Sequence, residues 1–182
     1  MLMACMLGLL SAMGGMVATM PATTTQPAES VSIAVCQILC IDSDRSGNFA
    51  RIERALQQAK AGGAEIACFP ESVILGWENP EAHRLAEPIP GGDSDRISGL
   101  ARRFDMMIAI GLDEKDGERL YDSAILVDTD GRILIKHRKI NVLPELMDPP
   151  YSIGNPGDIT AVDTRHGRIG MMICADTFSR KH

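Results

Sequence analysis

The stretch AEIACFPES (64–72) decides how this chain is read. Its first seven positions are almost continuously apolar, the pattern of a strand covered on both faces rather than one facing water. Pro70 has no N–H to give to a ladder, so the strand stops there and Glu71 emerges at its end, where open α/β sheets present their functional groups. Upstream, VSIAVCQI (31–38) alternates and is rich in β-branched residues, predicting a partner strand. Between them, SGNFARIERALQQAKAGG (46–63) places Ile52, Ala55, Leu56 and Ala59 on one helical face. Asn48 is the expected N-cap and Gly62-Gly63 the stop. Strand, helix and strand at this spacing make a βαβ unit.

The pattern continues downstream. DSDRISGLARRFD (93–105) sets Ile97, Leu100, Ala101 and Phe104 at helical spacing. MMIAIGLDE (106–114), LYDSAILVD (120–128) and ILIKHRKI (133–140) then read as strands joined at Asp116-Gly117 and at TDGR (129–132). A Pro/Gly-rich loop (144–158) leads to a last hairpin, ITAVDT (159–164) and IGMMIC (169–174), around RHGR (165–168). The fold class is therefore α/β, with helices between the early strands and hairpins later.

Composition bounds the partners. The chain has 182 residues, enough for one domain with a real core, and 45% are apolar against 4% aromatic, so aliphatic residues and Met supply the packing. A net charge of −6 without a Lys/Arg patch argues against nucleic acid. Residues 1–20 carry no charge and are followed by the polar spacer PATTTQPAES (21–30). Together they form a leader resembling a secretory signal, with cleavage near Ala18 or Ala22, although no Lys or Arg precedes the apolar run. The expected location is thus export, periplasmic or secreted. The alternatives are an uncleaved membrane anchor and, if the start is misassigned, a cytoplasmic protein. Cys36 and Cys40 lack neighbouring ligands for a zinc site, so burial is their expected role.

Three polar residues close three strand-like runs: Glu71, Lys139 and Cys174. A carboxylate can move a thiol proton, an ammonium can stabilise an oxyanion, and a thiolate is a strong nucleophile. Taken singly, each has a plainer reading: a solvated loop carboxylate, a solvated cation, a buried packing thiol. Sequence spacing alone does not bring them together.

Three segments, in order, change that reading. IACFPESVILGW (66–77), YDSAILVDTDGRILIKHRKINVLP (121–144) and HGRIGMMICADTF (166–178) resemble the signature segments of the nitrilase superfamily of carbon–nitrogen hydrolases. The resemblance spans 31–182 and implies an α-β-β-α sandwich. It also implies a Glu71-Lys139-Cys174 triad that hydrolyses a non-peptide C–N bond of a small amide, N-carbamoyl compound or nitrile, most often an amide. The implied route is a thioester, with the N–H of Ala175 beside the oxyanion and no metal or organic cofactor. Homo-oligomers are common in the family. Many members carry a second Glu between the Lys and the Cys; here its usual place falls near Met147, leaving Glu145 as candidate and Asp148 as runner-up. Tyr121 and Asp122 stand where the family often has Tyr-Asn and are expected to support the hairpin. Trp77 is expected at the pocket entrance or in the core. The family domain continues beyond the Cys, whereas this chain stops eight residues later, so the sequence reads as a piece of a longer product. The competing expectation is a truncated, inactive domain that survives as a binding or assembly module.

Overall fold

The computed structural model describes residues 30–178. The leader and spacer expected over 1–30 lie outside them except for Ser30. Five strands form one sheet in sequence order: β1 (Ile33–Val35), β2 (Ile66–Cys68), β3 (Met107–Asp116), β4 (Arg119–Val127) and β5 (Ile133–Arg138). β1, β2 and β3 run parallel, whereas β3–β4 and β4–β5 are antiparallel. The parallel crossovers are made by helices α1 (Arg45–Ala61) and, after the short α2 (Ala82–Leu85), α3 (Gly92–Phe104). A separate antiparallel pair, β6 (Ala161–Thr164) and β7 (Gly167–Gly170), follows.

Alternation along the strands sorts the side chains into two layers. Ile108, Ile110, Leu112, Ile125 and Val127 pack against Phe49, Ile52 and Leu56 of α1 and Ile97, Leu100 and Ala101 of α3. On the opposite face Ile66, Met107, Leu126 and Ile135 meet Val162, Ile169 and Met171 of the small hairpin. Helices, main sheet and second sheet are thus three successive layers of the expected sandwich. The hairpin does not reach β1, whose Ile33 and Val35 remain exposed.

Two local expectations need correction. Asp44, not Asn48, caps α1, its carboxylate accepting the Gly47 N–H at 3.0 Å. Asn48 instead turns inward and is fully buried. Its amide donates to the carbonyls of Ile41 (2.7 Å) and Ile74 (2.9 Å), and its Oδ1 accepts the Ile41 N–H at 3.0 Å. One carboxamide thus joins the loops that leave β1 and β2. Second, the last strand ends at Gly170 rather than Cys174. The N–H of Ile173 goes to the Asp176 carboxylate, so it is spent on the turn that follows instead of on a ladder.

Replacing Asn48 by Ala removes the partner of three backbone groups, of which the Ile74 carbonyl is buried. The expected cost is about 3 kcal/mol, read as a lower urea midpoint with an unchanged m-value.

Candidate active site

The site lies where the ends of β2 and β5 pass β4. Beyond Cys68 the chain keeps running along β3: Phe69 N–H donates to Ala109 O (2.8 Å), Gly111 N–H to Pro70 O (3.1 Å) and Val73 N–H to Gly111 O (3.2 Å). This approach requires a glycine, because a Cβ at position 111 would sit 2.6 Å from the Cα of Glu71. Ser72 adopts positive φ (44°), which turns the chain away and leaves the Glu71 side chain over the sheet. At the end of β5, Lys139 N–H donates to Asp122 O at 2.8 Å, and Gly154 N–H donates to Lys139 O at 2.9 Å. The Lys139 side chain is thereby directed inward, and the residue is 2% exposed.

The Lys139 ammonium donates to Glu71 Oε1 and lies 3.2 Å from Oδ2 of Asp122, which is fully buried. Burial disfavours the lysine charge. The Glu71 hydrogen bond and the two carboxylates outweigh it, so the Lys139 pKa stands above the ordinary value. Burial likewise opposes the charge on Glu71, yet the neighbouring Asp122 carboxyl, the hydrogen bond from Lys139 and the lysine charge hold its own carboxyl below the usual range. Cys174 and Glu71 line the same cavity, close enough for the Glu71 and Lys139 charges to act on the thiol. Burial and the Glu71 charge push this thiol above its ordinary pKa despite Lys139. The resting pair is therefore a thiol beside a carboxylate base, rather than the thiolate that a neighbouring cation alone would favour.

Cys174 is exposed and opens a short 3-10 turn, Cys174–Thr177, at φ 41°. Asp176 holds this turn in place. Its Oδ1 accepts the N–H groups of Ile140 (3.0 Å) and Asn141 (2.8 Å), while Oδ2 accepts that of Ile173 (3.2 Å) and contacts His137 Nε2 at 2.8 Å. The segment after Lys139 and the turn bearing Cys174 are thus tied to one carboxylate, which these bonds hold ionised below its usual pKa.

Glu71 and Cys174 line a cavity of about 350 Å³ whose other walls include Phe69, Ala109, Gly111, Ala124 and Met171. The structure therefore brings together Glu71, Lys139, Cys174 and Ala175. Glu145 and Asp148 stay exposed on the 144–158 loop without a bond to any of these, and Met147 between them is buried in the core. Tyr121 is buried under the Arg138 guanidinium, 3.9 Å from its ring centroid, and supports the hairpin from outside the cluster. Trp77 is 43% exposed and lines no wall of the cavity. Sequence reasoning gave no role to Asp113 or Asp176. A charged residue inside an apolar strand was the signal for Asp113, and the Asp two places after the Cys was the signal for Asp176.

The carbon–nitrogen hydrolase family model matches residues 32–181. This chain belongs to that family. A bifunctional nitrilase/nitrile hydratase of Lupinus angustifolius is 31% identical over 165 residues, covering 80% of this chain and 47% of that protein. A chloroplastic omega-amidase of Arabidopsis thaliana is 31% identical over 170 residues, covering 82% and 44%. The chain spans about half the length of the curated relatives it matches. The fold is shared with an amidase from Nesterenkonia sp. (TM-score 0.70, 20% identity, 79% of this chain and 55% of that one). It is shared also with Saccharomyces cerevisiae Nit3 (TM-score 0.71, 22% identity, 80% and 56%).

Removing the Asp176 carboxylate tests the clamp. Asp176→Ala is expected to cost about 3 kcal/mol at neutral pH, since charged hydrogen bonds are lost and buried donors left unpaired. The folded pKa is depressed, so this stabilisation is present above the ordinary Asp value of about 4 and disappears as pH falls through the folded one. Urea unfolding of the wild type and the variant should therefore differ at pH 7 and converge in acid.

Proposed function

We propose that this chain carries the nucleophile and proton-transfer groups of a hydrolase acting on small non-peptide amides, with N-carbamoyl compounds and nitriles as related substrates. The observation that carries the reading is that Glu71 and Cys174 line one cavity while the Lys139 ammonium is bonded to Glu71. The family relationship and the omega-amidase relative support the amide preference.

The chemistry follows from the positions. Glu71 takes the Sγ proton as Cys174 attacks the amide carbon, forming the C–S bond while the carbonyl electron pair moves to oxygen. Lys139 Nζ and the Ala175 N–H meet the oxyanion that results. As the intermediate collapses, Glu71–H gives its proton to the departing nitrogen, and ammonia or an amine leaves a thioester. Water then attacks the thioester, Glu71 takes the water proton, and the acid departs as the thiol is restored. A raised thiol pKa suits this scheme, because the base moves the proton during attack.

Incubation with a panel of primary amides, N-carbamoyl compounds and nitriles, read by ammonia release and intact mass, tests the proposal. An acyl adduct on Cys174 and loss of ammonia release in Cys174→Ala and Glu71→Gln are expected. Alkylation of Cys174 by iodoacetamide across pH gives an independent reading of the geometry. Glu71→Gln removes a neighbouring anion and should lower the midpoint, whereas Lys139→Ala should raise it. Midpoints that move together, or not at all, would separate the three groups in space.

A further inference from the structure

Two carboxylates share one ammonium at this site, and a third carboxylate lies behind them. Asp122 on β4 stands directly opposite Asp113 on β3, so their side chains share a face. Asp113 Oδ1 accepts from Tyr151 OH at 2.7 Å and from Ser72 Oγ at 3.3 Å. Asp122 has no such donors. It is 0% exposed, and neither of its oxygens accepts a hydrogen bond, although the Lys139 ammonium lies 3.2 Å from Oδ2. Around it stand Glu71 from the end of β2, Lys139 from the end of β5, Asp113 from β3 and Tyr151 from the loop after Lys139, with Cys174 beyond Glu71.

Charge counting decides the state of this group. One ammonium neutralises one carboxylate, and a second buried anion would be uncompensated, at a cost of several kcal/mol. Glu71 is the partly exposed member, its side chain 18% accessible, and Lys139 bonds to it directly. The surplus proton therefore belongs on the sealed member. A carboxylic acid also accounts for an oxygen with no donor, because that oxygen is itself the donor.

We propose that Asp122 is held as a neutral carboxylic acid that donates a hydrogen bond to the Glu71 carboxylate, and that it is a positioning residue keeping a single anion beside Lys139 and Cys174. Burial, followed by the hydrogen bond to Glu71 and the Glu71 charge, raises the Asp122 pKa well above its ordinary value, in agreement with this geometry. Asp113 is pushed up to about 7 mainly by burial, with Tyr151 and Ser72 opposing, and is the competing place for the proton. The consequence for turnover rests on the hydrolase reading above; the protonation state does not.

The test compares urea unfolding of the wild type, Asp122→Asn and Asp113→Asn from pH 4 to 9. Asn keeps the shape of the acid and donates as the acid does, but cannot ionise. A carboxyl whose folded pKa exceeds its unfolded one holds an extra proton in the native state, so the wild type loses stability as pH rises between the two values. Asp122→Asn should escape that loss, its unfolding constant falling relative to wild type by up to about tenfold per pH unit above pH 4. Parallel curves for the wild type and Asp122→Asn would overturn the proposal. So would a pH slope that Asp113→Asn alone removes, which would put the proton there. Cys174 alkylation supplies a second reading. A neutral Asp122 predicts that Asp122→Asn leaves the thiol midpoint within about 0.3 pH unit, roughly a twofold change in the ionisation constant. If Asp122 were an anion, its loss would lower that midpoint as Glu71→Gln does, and the proposal would fail. Neither measurement requires turnover, so a protein that releases no ammonia would defeat the hydrolase reading while leaving Asp122 to be judged separately.

Discussion

The Lys139 ammonium is the contact on which this site depends. It joins a residue 68 positions earlier, Glu71, to a strand residue, Asp122, in a place almost without water. Desolvating a lysine is expensive, and only close, well-directed anions compensate. The ends of β2 and β5 are therefore held in one arrangement, since either moving away would leave a charge buried alone, and the Lys139–Asp122 contact holds the middle of β4 beside them. Breaking such a set by deleting one partner costs more than the set contributes, because the survivors stay behind in the interior.

The backbone supplies the other half of the precision. Gly111 lets the Glu71 segment lie against β3 closer than any side chain permits, and Gly154 does the same beside Arg138 and Lys139. Asp176 collects backbone donors from both the Lys139 segment and the Cys174 turn, so the thiol is placed by main-chain hydrogen bonds as well as by the packing of its neighbours. That is how an exposed cysteine can be well positioned. Its neighbours Ile173 and Ala175 are buried and act as anchors, while the thiol itself faces the cavity.

Much of this was legible in the sequence, for identifiable reasons. Both long helices announced themselves by apolar spacing, and the two hairpins of the main sheet by Asp-Gly turns, because those signals are local. Glu71 was marked by Pro70. Its meeting with Lys139 and Cys174 was not local and came only from resemblance to a family. Asn48 misled because a short polar residue near a helix start suits a cap equally well as a buried bridge, and only the loops at Ile41 and Ile74 decide between them. The final strand was drawn too long because an apolar run says nothing about where its N–H groups go. The facing of Asp113 and Asp122 was in fact derivable: counting outward from the turn at Gly117 pairs 116 with 119 and 113 with 122.

That turn carries a constraint out of proportion to its setting. Gly117 and Glu118 are exposed and touch nothing in the cavity, the kind of surface position where insertions are ordinarily tolerated. Yet the side-chain period of a strand is two, so adding one residue there, without a compensating bulge, shifts the pairing and turns a whole strand over. Asp122 would then face the helices and leave Lys139 with Glu71 alone, while Tyr121 and Ser123 would be presented to the site. In this protein the length of a solvent-exposed loop determines which groups meet Lys139 at the candidate site.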